Sequence, residues 1–140
     1  STSKDVSTIS TDIIESKTNL EIEKEISQIV SKNGIIFKRL STEVTTKSIE
    51  TIEQVAEVLK NYPSIHIEVG GHTDAKGDEE VNAYISKHRA LSVKKILIKF
   101  EIDENRLRAK GYGESMPIVK NDPRGYSIKN RRVEFKIVKE

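Results

Sequence analysis

Apolar residues recur along this chain with two periods, and the switches between them mark its elements. Ile22, Ile26, Ile29 and Val30 lie on one face of a helix. Thr18 with Glu21 makes a capping box ahead of them, and Asn33-Gly34 supplies a stop, so an amphipathic helix is predicted over residues 19–33. Ile35 to Phe37, a brief apolar run, reads as a strand. Thr45 or Thr46 can cap a second helix over about 47–60, with Ile49, Ile52, Val55, Ala56 and Leu59 on one face and Asn61-Tyr62-Pro63 at its end. Ile65, Ile67 and Val69 alternate with His66 and Glu68, the period of a half-buried strand that points His66 away from the core, and Gly70-Gly71 is the expected stop. Asp78, Glu79 and Glu80 complement the N-terminal dipole of a long helix reaching about Phe100. Leu107, Ala109 and Gly111 predict a third strand, and Val133, Phe135 and Ile137 a fourth. Between them, residues 112–129 form a long loop with Gly113, Pro117, Pro123 and Gly125, and loops of that length in compact domains are often functional.

Helices alternating with strands imply an α/β (α+β) two-layer sandwich, with a mixed four-stranded sheet and the helices packed on one face. The 140 residues suit one core. With 35% hydrophobic, 33% charged and 5% aromatic residues, that core is built on Ile, Val and Leu. Residues 1–18 read as a polar linker or frayed helix, 19–33 as an N-terminal amphipathic helix and 34–140 as the domain proper.

Charge narrows the functional classes. Lys and Arg number 24 against 22 Asp and Glu, too even a balance for a dedicated nucleic-acid binder. The absence of cysteine removes disulfides, thiolate catalysis and cysteine-held zinc. No run approaches the about 18 consecutive apolar residues of a membrane span. The start at Ser1 suggests a trimmed or mature fragment, so any signal, lipid anchor or membrane segment is expected upstream.

Two charges break the pattern. Asn82, Ile85, Arg89, Val93, Ile96 and Phe100 share one face of the long helix, and a guanidinium on a core-facing stripe needs a carboxylate or an anionic ligand beside it. Asp74, in the loop before that helix, is the natural candidate. Either the two pair at the rim, or they form a site in a loop bracketed by Gly70, Gly71 and Gly77, where α/β sheets commonly bind ligands. Arg131 shares the phase of Val133, Phe135 and Ile137 and is expected to point inward at a strand end, either as an internal salt bridge tying down the long loop or as a ligand contact. His72 and Asp74 form an i, i+2 pair, but His66 and His88 are placed away from them, too few ligands for a metal site. No serine lies in a nucleophile-elbow context. No cofactor is expected, and Lys94-Lys95 with Lys99 reads as a solvated helix face.

Gly71-His72-Thr73-Asp74, Gly77, Asn82, Ile85-Ser86, Arg89-Ala90 and Val93, followed by Arg106-Leu107, Gly111-Tyr112-Gly113-Glu114, Pro117, Asn121 and Asn130-Arg131-Arg132-Val133-Glu134, resemble the OmpA-like C-terminal domain family in order and gaps. The resemblance covers about residues 34 to 138, with Ile85 where the family usually has leucine. It implies a βαβαββ fold and a periplasmic, non-catalytic module, associated with the outer membrane in a Gram-negative-type envelope, that binds the meso-diaminopimelate of the peptidoglycan stem peptide. The positions that grip this residue in the family are here Asp74 and Arg89. The ligand's free end carries an ammonium, from which Asp74 can accept, and a carboxylate, to which Arg89 can present two parallel donors. Asn82 and Thr73 are expected to add neutral hydrogen bonds. An alternative role is a dimerisation or partner-binding module of an envelope assembly such as a flagellar stator, with the helix over 19–33 mediating a homodimer.

Overall fold

The computed structural model describes residues 17–138. Residues 1–16, most of the expected polar linker, lie outside the described residues. Helix α1 spans Asn19–Asn33; the Thr18 hydroxyl accepts from Glu21 N–H, and Gly34 ends the helix at φ 74°. Helix α2 spans Thr46–Asn61, strand β1 His66–His72, helix α3 Glu79–Lys99, strand β2 Leu107–Gly113 and strand β3 Arg132–Val138. Asp78 caps α3 by accepting from Glu80 and Val81 N–H.

The sheet runs in the order β2-β1-β3, with β2 parallel and β3 antiparallel to β1. It is mixed, as expected, but has three strands among the described residues. Ile35 to Phe37 does not join it; Phe37 makes only an isolated bridge with Val44. The segment satisfies its backbone locally: Ile36 N–H donates to the Ser48 hydroxyl at 2.8 Å, Thr45 N–H to the Ile36 carbonyl at 2.9 Å and Lys38 N–H to the Glu43 carbonyl at 2.8 Å. With its donors and acceptors spent in this turn, it has little to offer a sheet edge.

Ile52, Val55 and Leu59 of α2, Val93 and Leu97 of α3 and Ile67, Val69 and Phe135 of the sheet form one core. Ile22 and Ile26 of α1, 2% and 1% exposed, belong to it, so that helix spends its apolar face on its own chain. Among the described residues no helix is long and apolar enough to cross a membrane.

Two departures from the predicted pattern have one cause. β1 does not stop at Gly70-Gly71 but runs through both to His72. The buried face of α3 is Asn82, Ser86, Ala90, Val93 and Leu97, turned by one residue from the predicted stripe, so that Arg89 lies half-buried on the flank. A Cβ on Gly71 would stand 2.1 Å from the Ser86 carbonyl oxygen, and one on Gly111 2.4 Å from Lys87 N. The two glycines let α3 lie against the sheet backbone, and that contact selects small residues for the facing stripe.

Candidate functional site

The loop after β1 is fastened on both sides. Thr73 N–H donates to the Gly113 carbonyl at 2.8 Å, and Ala75 N–H to the Gly125 carbonyl at 2.9 Å. Gly125, at φ 89°, approaches so closely that a Cβ would meet the Ala75 carbonyl at 2.9 Å. The long loop is itself organised by Asn130, which is fully buried. Its Oδ1 accepts from Ile118 and Val119 N–H, and its Nδ2 donates to the Val119 carbonyl and Asn121 Oδ1.

This packing buries the Asp74 side chain and surrounds it with donors. Lys76 N–H reaches Oδ1 at 3.1 Å; Ser127 N–H reaches Oδ2 at 3.0 Å, and Arg131 Nε donates to the same oxygen at 2.5 Å. Burial pushes the carboxyl pKa up, but the Ser127 N–H, the Arg131 guanidinium and the Lys76 N–H outweigh it and hold Asp74 below its usual value. A carboxylate offers about four lone-pair positions, so these three donors leave acceptor capacity on Oδ1.

Arg89 does not pair with Asp74, which takes Arg131 instead. Its Nε donates to the Ser41 carbonyl at 3.1 Å, and the guanidinium lies 4.9 Å from the centre of the Phe37 ring. Among the described residues it has no carboxylate partner. Burial, and then the nearby charge of Arg131, lower its pKa. The site therefore brings two guanidiniums to one buried carboxylate, with the Glu114 carboxylate at its edge, 3.4 Å from Asn82 Nδ2.

Arg131 precedes β3 rather than lying in it, and its side chain is 44% exposed. Of the two readings open to it, the internal salt bridge that ties the long loop is present. The Thr73 hydroxyl donates to the Asp74 carbonyl at 2.8 Å, and Asn82 Nδ2 donates to the Lys76 carbonyl at 3.0 Å, with longer contacts at 3.4 Å to the Asp74 carbonyl and Glu114 Oε1. These donors shape the loop from within. Ser41, Phe37 and Ser127 were not singled out from the sequence, because a backbone carbonyl, a backbone N–H and a ring face carry no residue-specific signal.

His72 sits behind the site, 4% exposed and stacked on Tyr112 with ring centres 4.9 Å apart. Among the described residues neither ring nitrogen has a hydrogen-bond partner, and Nε2 lies 3.8 Å from Glu134 Oε2. Burial, and then the Arg132 charge, lower its pKa to about 4. The Tyr112 hydroxyl donates to Glu68 Oε1, a bond that raises the phenol pKa to about 12. Among the described residues no three His, Asp or Glu side chains are grouped as a metal would require.

Known proteins resemble this chain in sequence and in fold. Outer membrane porin F of Pseudomonas fluorescens is 36% identical over 94 residues, 67% of this chain and 29% of that protein, so the chain spans well under half the length of this relative. The C-terminal domain of Helicobacter pylori MotB has a TM-score of 0.67 at 28% identity, covering 76% of this chain and 83% of that one. The peptidoglycan-associated lipoprotein of Burkholderia pseudomallei has a TM-score of 0.66 at 25% identity, covering 79% and 93%. The OmpA family model matches residues 36–131, the span that holds Asp74, Arg89 and the loop that joins them to the sheet, and the chain belongs to the OmpA family.

Proposed function

We propose that this chain binds peptidoglycan non-covalently through the meso-diaminopimelate of the stem peptide, and so tethers an outer membrane or an envelope complex to the cell wall. The observation that carries this reading is Arg89, a half-buried guanidinium that has no carboxylate partner among the described residues and whose pKa the charge of Arg131 lowers further. Such an arrangement favours an anion. The ligand carboxylate receives two parallel donors from Arg89, and Arg131 adds positive charge nearby. The ammonium on the same carbon uses the remaining acceptor capacity of Asp74. Thr73 and Asn82 act by holding the loop, and nothing in the cluster activates a nucleophile or water, so the outcome is binding without turnover.

Two relatives support the assignment, one a peptidoglycan-associated lipoprotein and the other an outer membrane porin. They favour a periplasmic, outer-membrane-associated setting. A dimerisation role through α1 draws less support, because Ile22 and Ile26 are committed to the chain's own core.

Sedimentation with insoluble peptidoglycan tests the proposal. The wild type is expected to pellet with the wall, while Arg89→Ala and Asp74→Ala stay soluble and folded, and Arg89→Lys rescues poorly because it lacks the planar fork. Equal pelleting of all four proteins would refute it.

A further inference from the structure

Two large apolar side chains stand in solvent one residue along the chain from the backbone groups that hold Arg89 and Asp74. Leu40 is 94% exposed and Ile128 84% exposed. Scattered exposed apolar residues are ordinary on any protein, but Leu40 is set apart by how the backbone holds it, and both residues by their neighbours along the chain. Leu40 lies at φ 55°, a left-handed conformation rare for a branched side chain and natural to Gly or Asn. The turn around it is firmly closed: Ser41 N–H donates to the Lys38 carbonyl at 3.0 Å, and the Ser41 hydroxyl accepts from Glu43 N–H at 2.9 Å. A strained residue whose side chain packs on almost nothing has no structural compensation of its own, and such residues cluster at functional sites.

The chain neighbours of both residues belong to the site. Leu40 directly precedes Ser41, whose carbonyl accepts from Arg89. Ile128 directly follows Ser127, whose N–H holds Asp74, and the Ile128 carbonyl accepts from Arg131 N–H at 3.2 Å. Each apolar side chain is thus one residue from a backbone group that fixes one of the site's charges, and the two come from separate loops.

We infer that Leu40 and Ile128 are specificity-determining contacts that flank the aliphatic chain of the bound diamino acid, where it leaves the charged cluster toward the peptide backbone. The inference rests on the assignment of the ligand's ionic end to Arg89 and Asp74. Chemically it completes that assignment, because a diamino acid joined to a peptide presents methylene groups next to its zwitterionic end. Apolar contact with those groups distinguishes a long side chain from a bare amino-acid terminus, which the charges alone do not.

The test is a calorimetric titration of the chain with a soluble stem peptide ending in meso-diaminopimelate, with thermal unfolding of every variant alongside. Leu40→Asn removes the apolar contact and suits the left-handed backbone, so its Tm is expected to equal or exceed that of the wild type. Ile128→Ser alters a residue in solvent and is expected to leave Tm unchanged. Each substitution is expected to weaken binding by about three- to tenfold, the scale of one partly buried aliphatic contact, and the double variant by more. Leu40→Met and Ile128→Leu are expected to retain binding. If the double variant binds within about twofold of the wild type while Arg89→Ala abolishes binding, the inference falls and the ionic site stands. If Arg89→Ala itself binds like the wild type, both fall together.

Discussion

Asp74 is held by Arg131, from the far end of the long loop, and not by Arg89, its expected partner in the helix that follows. The pair joins residues 57 positions apart. It closes the long loop over the β1–α3 loop and leaves the Arg89 charge without a carboxylate among the described residues.

Replacing Arg131 with Ala therefore releases the long loop rather than emptying the site. The Arg131 side chain is 44% exposed, so solvent screening limits the loss to about 1–2 kcal/mol, since Asp74 keeps two backbone donors. Urea unfolding measures it. Faster hydrogen exchange at the Ser127 amide is the local sign.

Asn130→Ala is expected to cost more. The residue is fully buried and makes two acceptor and two donor contacts that hold the loop's shape. Removing it strands the Ile118 and Val119 amides, at a cost of about 2–4 kcal/mol. Wall binding is expected to weaken too, because Ser127 and Arg131 hang from the same loop.

Acid is expected to act through two groups in two windows. His72 has its folded pKa lowered to about 4 from an ordinary 6.5, so the unfolded chain binds more protons between these values. Its stabilising contribution is complete above about pH 6.5 and falls as pH drops toward 4, by about 3 kcal/mol at most. His72→Phe breaks no hydrogen bond and keeps a ring to stack on Tyr112. That variant is expected to show a flatter Tm between pH 7 and 5; an unchanged slope would remove His72 as the cause. Asp74 acts lower: its folded pKa is depressed, so its contribution is present above the unfolded value of about 4 and is lost as pH falls through the folded one.

Gly71→Ala tests the seating of α3. The added methyl would lie 2.1 Å from the Ser86 carbonyl oxygen, which is backbone and has no rotamer to yield. A loss of at least about 3 kcal/mol is expected, read as a fall in Tm. Gly77→Ala meets no nearby atom and strains only its φ of 90°, so it is expected to cost less.

Taken by itself, the sequence determined the features written in local periodicity and local chemistry. These include the capping of α1 by Thr18, the acidic start of α3 at Asp78 to Glu80, the alternation of Ile67 and Val69 in β1, and the phase of Val133, Phe135 and Ile137 in β3. The ordered motifs from Gly71 to Glu134 also carried the family. Tertiary structure alone decided three further matters. Whether Ile35 to Phe37 joins the sheet turned on where its backbone donors found partners. The rotation of α3 depended on a close approach at Gly71 and Gly111, visible only when helix and sheet are in contact. The partner of Asp74 was settled by the folding of the long loop, since a carboxylate takes the donors that three-dimensional packing brings within reach. Periodicity reports which face of an element is apolar, whereas pairing across 57 positions is a property of the packed chain.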